Sequence, residues 1–221
     1  MLTNLFADVR AASIRAYHDA AVAAGPAADT PPPRDDDPRP DIPSDARPEI
    51  PSDGVWQHIV ANHRCNHLLW DEEDQARRTD VPDAAIAACK RAIDGYNQLR
   101  NDAVEHIDET LLARLAGVAP HPDAWHNSET AGSMIDRLSI LALKIHHMRL
   151  QTLRTDATPA HVASCAERLA RLGRQRDDLA RCLDSLLARA ATGEAFWRIY
   201  RQFKMYNDPE LNPWLGRKPS R

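Results

Sequence analysis

Two histidines four residues apart, His63 and His67, lie in the run NHRCNHLLWDEEDQAR from Asn62 to Arg77. At about 100° per residue they share one helix face with Trp56, Val60, Trp70 and Asp74, with Ile59 and Arg77 at its edges. The spacing suits two ligands of a helical metal site, with Asp71 or Asp74 as the carboxylate. The same face offers acid–base groups, with His67, Glu73 and Asp74 as the candidate catalytic residues. Asp71 to Asp74 also suggest magnesium-assisted phosphate chemistry. Four consecutive residues spread around a helix, however, so at most two face one site, and a solvated helix end accounts for Asp71 and Glu72. No H-E-x-x-H accompanies the histidines, so metal ligation ranks below a charge-paired polar pocket.

Carrying such groups inward unpaired costs about 1–3 kcal/mol for each neutral polar atom and more for a charge, so partners must come from elsewhere. One source is a long helix opened by Pro82 and Asp83 and closed by Gly117. Its inward stripe (Ile86, Cys89, Ile93, Asn97, Arg100, Val104, Ile107, Leu111) turns polar at Asn97 and Arg100, where an antiparallel hairpin would meet the first run. Another is a helix capped by Asn127 or Ser128 and running to about Thr152. There Asp136, Ile140, Lys144 and His147 flank a core stripe of Met134, Leu138, Leu141, Ile145 and Met148.

Three further elements complete the chain. A helix from about Thr3 to Ala24 carries Leu2, Phe6, Val9, Ser13 and Tyr17 on one stripe. A helix after Pro159 has a heptad-like seam from Val162 to Leu186. A short aromatic helix with Phe196, Trp197 and Tyr200 precedes an irregular tail. Between Gly25 and Gly54 lie nine of the sixteen prolines and the tandem repeat RPDIPSDA, RPEIPSDG. Missing backbone donors and like-charge repulsion predict a disordered acidic linker there, a docking segment for a proline-binding groove being the lesser reading.

Eight acids against three arginines make that linker −5, so the net charge of −4 leaves the rest near +1, which calls for no nucleic-acid partner. The four cysteines form no C-x-x-C pair and read as free thiols. No stretch approaches the roughly 20 apolar residues of a membrane span, and the first seventeen residues carry charges where a signal peptide needs an apolar run. The expectation is a cytoplasmic protein.

Three segments, NHRCNHLLWDEEDQAR, NSETAGSMIDRLSILALKIHHM and YRQFKMYNDPELNP, together resemble the bacterial domain-of-unknown-function family 4254. The resemblance marks Asn62, Asn66, Leu69, Trp70, Glu73, Asp74 and Arg77 in the first segment. In the second it marks Ser128, Glu129, Thr130, Gly132, Ser133, Asp136, Arg137 and Lys144, and in the tail Lys204, Tyr206, Asn207 and Pro209. Ala131 stands where many relatives carry proline. The resemblance implies a cytoplasmic all-α domain often encoded among genes for cell-surface polysaccharide and glycosyl transfer, and it carries no established activity. Gln98–Leu115 also looks like the first helix of all-α chorismate mutases. Its spacing from Arg100 to Ile107-Asp108 is one residue too long, about 100° of helix, so that likeness carries no function.

The sequence therefore predicts an all-α bundle of four or five main helices with a disordered acidic Pro-rich insert after the first. The expected units are residues 1–24, a linker 25–54 and a bundle domain 55–221. The expected site is a polar inter-helix pocket for an anionic small molecule, a nucleotide sugar or sugar phosphate, with no cofactor assigned. Its residues would be Asn62, Asn66, Arg77, Asn97, Arg100, Glu129, Asp136, Lys144, Lys204 and Asn207. Two alternatives stand beside it. In one the network is structural and the protein recruits a glycosyltransferase or other glycan-pathway protein; in the other it is a metal enzyme using His63 and His67.

Overall fold

A computed structural model of the chain describes residues 5–25, 54–201 and 210–212. It holds five helices, α1 (Ala11–Ala24), α2 (Gly54–Gln75), α3 (Asp83–Arg114), α4 (Ala131–Thr152) and α5 (Pro159–Ala191). A two-residue parallel pair, β1 (Trp125–His126) and β2 (Ala195–Phe196), is the one sheet among the described residues. The all-α expectation holds. The expected linker, Lys204 and Asn207 lie outside the described residues.

Local signals start each helix. Thr158 accepts from His161 N at 3.3 Å with Pro159 in the first turn of α5, and Asp83 places a negative charge at the positive end of α3. Helix α4 is capped by Thr130, which accepts from Ser133 N at 3.1 Å, and not by Asn127 or Ser128 as expected. Asn127 is committed elsewhere: its N–H bonds Phe196 O and its side chain bonds Glu129 O. Helix α1 begins at Ala11, not Thr3. Arg10 is extended at φ −83° and ψ 143°, so the apolar phase restarts on Ile14, His18 and Val22 while Phe6 and Val9 are buried from the preceding turn.

Helices α2 and α3 form an antiparallel hairpin, since the ring of His58 near one end of α2 lies tilted against His106 far along α3, centroids 4.9 Å apart. Helices α4 and α5 form the second hairpin. Helix α2 lies parallel to α4, pairing Asn62 with Asp136 and stacking Trp70 on His147 at 4.3 Å. Helix α1 runs antiparallel on α5: Asp184 accepts from Ala11 N, Asp177 pairs Arg15, and Arg176 pairs Asp19. One apolar core, from Phe6, Trp56, Ile107, Leu111, Leu138, Leu183, Leu186 and Trp197, fills the overlap. Burial of this aliphatic surface, at about 25 cal/mol per Å², is what drives the five helices together.

The expected aromatic helix after α5 is instead β2. Gly193, at φ 79°, ends α5 and turns the chain; a Cβ there would lie 2.7 Å from Ala119 O. Backbone bonds from His121, Trp125 and Asn127 to Gly193, Glu194 and Phe196 then hold the strand pair. That tie seats Trp197 in the core and places Ile199 and Tyr200 beside the start of α4.

Candidate functional site

The polar residues of α2 find partners, and most come from α4 and α1, not from α3. Asp136 Oδ1 accepts from Asn62 Nδ2 and Asn66 Nδ2, each at 2.8 Å. Asn66 Nδ2 also reaches Ser139 Oγ at 3.0 Å, and His63 Nδ1 shares that hydroxyl at 2.7 Å. His18 of α1 stacks on His63 with ring centroids 4.5 Å apart. Asn62, His63, Asn66, His18 and Ser139 are all buried, so this is a sealed seam with Asp136 at its half-open edge.

Burial, then the charges of His63 and Arg176, holds His18 well below the usual histidine range. Burial, then His67, holds His63 down at about 3. Both rings are neutral at physiological pH. Among the described residues neither nitrogen of His18 has a hydrogen-bond partner, and Nε2 of His63 has none. Burial also pushes the Cys65 thiol up to about 11, which makes it inert. Cys165 is buried as well, whereas Cys89 is half-buried and Cys182 exposed.

The other expected residues do not join this seam. Asp74 and Arg77 were expected to face inward, but both are exposed: α2 ends at Gln75, so Arg77 lies past the helix and pairs with Glu73 at 2.8 Å. Lys144 is exposed and Ser139 takes the inward place, because α4 turns Ala142, Leu143 and Ile145 to the core. Glu129 is held by Arg137 at 2.7 Å. Asn97 and Arg100 are half-buried on α3, and Arg100 Nε is buried near Cys65 with no hydrogen-bond partner among the described residues. His67 is close to Asp71 at 3.7 Å, and its ring stands 6.5 Å from His63 at 89°. Among the described residues no three metal-capable side chains gather.

These placements separate two substitutions. Asp136→Ala leaves two inward amide donors without their acceptor and is expected to cost about 2 kcal/mol in chemical denaturation. Asp74→Asn, at an exposed site, should stay within about 0.5 kcal/mol. Equal effects from the two would contradict the seam.

A second polar place lies at the start of α4. A cleft of about 180 Å³ is lined by Asn101, Val104, Glu105 and Asp108 of α3, by Ser128, Thr130 and Ser133, and by Ile199 and Tyr200. Asp108 is 1% exposed and accepts from Gly132 N at 2.8 Å. Burial pushes its carboxyl up to about 6, against the opposing pull of Thr130, Gly132 and Trp197. Thr130 Oγ1 donates to Ser133 Oγ at 2.9 Å. Arg201 pairs with Glu105 and Glu109, so the last described residues before the tail fasten to the same stretch of α3.

Sequence reasoning marked Ser128, Thr130, Gly132 and Ser133 but missed Asp108, Ser139 and His18 as members of polar sites. His18 had a legible signal, its four-residue spacing from Ile14 and Val22. Asp108 had one in Gly132, since a glycine inside a helix start marks a close approach.

Parallel helical hairpins closed by a short strand pair, with a sealed polar seam and an open polar cleft, define an all-α helical-bundle protein. The chain belongs to the family described as "Protein of unknown function (DUF4254)", whose model matches residues 56–199. No curated protein and no solved structure matches it. No described helix is long and apolar enough to cross a membrane.

Proposed function

We propose that the protein binds a nucleotide sugar or sugar phosphate in the cleft between α3 and the start of α4, as a cytoplasmic participant in cell-surface glycan synthesis. The observation that carries this reading is the cleft itself. Its walls offer two carboxylates, three hydroxyls, an amide and the Tyr200 ring, a set suited to orienting a hydroxyl-rich ligand. At about 180 Å³ it is smaller than the roughly 300–1,000 Å³ of sites that enclose a whole drug-sized molecule. One ring fits, and the remainder of the ligand lies outside, on the side of Arg201, which pairs with the lining residue Glu105.

The test is isothermal titration against nucleotide sugars and sugar phosphates, using the full chain and Ser128→Trp. Ser128 is exposed on the cleft wall, so an indole there fills the cleft without entering the core. Saturable binding to the wild type, weakened at least about tenfold in Ser128→Trp, is expected; that is a loss of about 1.4 kcal/mol. Binding that Ser128→Trp leaves untouched would place the ligand elsewhere.

The α2–α4 seam supports a second reading for its own residues. Asn62, Asn66, Asp136 and Ser139 satisfy one another within a buried interface, which favours a role in helix register over ligand capture. On this reading a scaffold that recruits a glycosyltransferase needs no small-molecule site. A histidine-ligated metal enzyme has less support, because His63 is spent on Ser139 and stands apart from His67.

A further inference from the structure

We infer that α1 is an acid-released clasp: a proton taken up by the stacked rings of His18 and His63 undocks α1 while α2 to β2 stay packed. The face that seats α1 is small. It consists of Ala11, Ile14, His18 and Val22, and His18 lies at its centre with no exposed surface. The His18 ring stacks on His63 of α2 with centroids 4.5 Å apart, and the Tyr17 ring stands 5.6 Å away. Three polar holds supplement this face: Ala11 N–H donates to Asp184, Arg15 pairs with Asp177, and Asp19 pairs with Arg176. Both paired carboxylates are half-exposed, and ion pairs that open to water hold little. Docking of α1 therefore depends on apolar burial around a histidine.

A proton on either ring meets repulsion and no counter-charge. Arg176 of α5 and His63 of α2 both oppose charge on His18, and His67 opposes charge on His63. Helix α4 offers the Ser139 hydroxyl, 2.7 Å from His63 Nδ1, while its Asp136 is engaged by Asn62 and Asn66. On α1 itself Asp19 is held by Arg176. Among the described residues no acid pairs with His18 or His63, whereas His67 has Asp71 at 3.7 Å. When α1 leaves, His18 reaches water and His63 loses its cover, so both protonate near the ordinary 6.5. Docking is then fully present above that value and is lost as pH falls below it. Two features let α1 leave alone. Arg10 is extended between the first turn of α1 and the turn that Arg114 ties through Asp8 at 2.9 Å, which makes it the hinge. The family model spans residues 56–199 and leaves α1 out, and the Asn62–Asp136, Gly132–Asp108 and Trp70–His147 contacts join the remaining helices without it.

The experiment is amide hydrogen exchange of the full chain, read by mass spectrometry between about pH 7.5 and 5 and corrected for the chemical pH dependence of exchange. The wild type is compared with His18→Phe and His63→Phe. Protection of α1 is expected to fall at least about thirtyfold over that range, the effect of one ring kept neutral while docked. At every pH α1 should be less protected than residues 179–190 of α5, and it should exchange freely where those amides are still protected. Each phenylalanine variant should shrink the fall in α1, and if one of them does not fold the other carries the comparison. The inference is overturned if α1 and residues 179–190 share one protection factor throughout, since α1 then opens only when the whole protein unfolds. It is equally overturned if α1 protection does not change with pH, or if the phenylalanine variants lose protection as the wild type does.

Discussion

Between pH 8 and pH 5 the buried ring of His63 is expected to cost the fold about 2 kcal/mol, and His18 adds to that loss in the same direction. Both rings are buried, stacked and held well below the usual value of 6.5, His63 at about 3. The unfolded chain protonates both rings below pH 6.5, whereas the folded protein holds His63 neutral until near 3 and holds His18 well below the usual range. A depressed folded pKa on a base means stability present above the unfolded value and lost as pH falls below it. Among the described residues no acceptor stands ready for a proton added to these ring nitrogens, and burial is the largest cause of both shifts.

Asp108 works in the other direction. Its carboxyl is raised from 3.8 to about 6, so its contribution is fully present below about 4 and lost as pH rises through 6. Acidifying from pH 7 to 5 therefore restores about 1 kcal/mol, and the histidine pair outweighs it. Urea denaturation across pH 5 to 8 measures the sum. His18→Phe keeps a stacked ring but removes both ring nitrogens, and should reduce the acid loss. An unchanged pH slope in that variant would remove His18 from the account.

Gly132→Ala is expected to destabilise the protein by about 3 kcal/mol, at the top of the usual range for overpacking. A Cβ at Gly132 would lie 2.6 Å from Val104 O and 2.8 Å from Asp108 Oδ2. The first is backbone of α3 and the second a carboxylate held by Gly132 itself, so neither can step aside without separating α3 from α4. Gly95→Ala and Gly173→Ala provide the control, since nothing lies within 4 Å of an added Cβ at either position. Those helix-interior changes should stabilise by up to about 1 kcal/mol through propensity. Denaturation midpoints of the three variants measure the contrast. A Gly132→Ala protein as stable as the controls would mean that α3 and α4 do not approach so closely.

This glycine also shows what was legible in the sequence. Thr130, Gly132 and Ser133 stood out as a polar helix start without any stated purpose. Only the packing of α3 against that start explains them, because it brings Asp108 to the Gly132 N–H and opens the cleft beside it. The signal was local, but its meaning depended on a residue 24 positions earlier.

The sequence by itself determined the helices, because a 3.6-residue period, caps and proline stops are local properties. The starts of α3 and α5 follow from Pro82 with Asp83 and from Pro159 within a few residues. It also determined that His63 turns inward with Trp56 and Ile59; Asn62 and Asn66 were marked by the family resemblance, and they are buried as well. Tertiary structure decided whom they meet. Periodicity says which face of a helix is buried but not which of several neighbours covers it, so Asn97 and Arg100 were expected beside Asp136, where Ser139 and His18 stand. It likewise turned Asp74, Arg77 and Lys144 to solvent, because the end of α2 and the twist of α4 are set by packing across the bundle. The short β1–β2 pair had no readable period at two residues, and backbone bonds to a segment some 70 positions away created it.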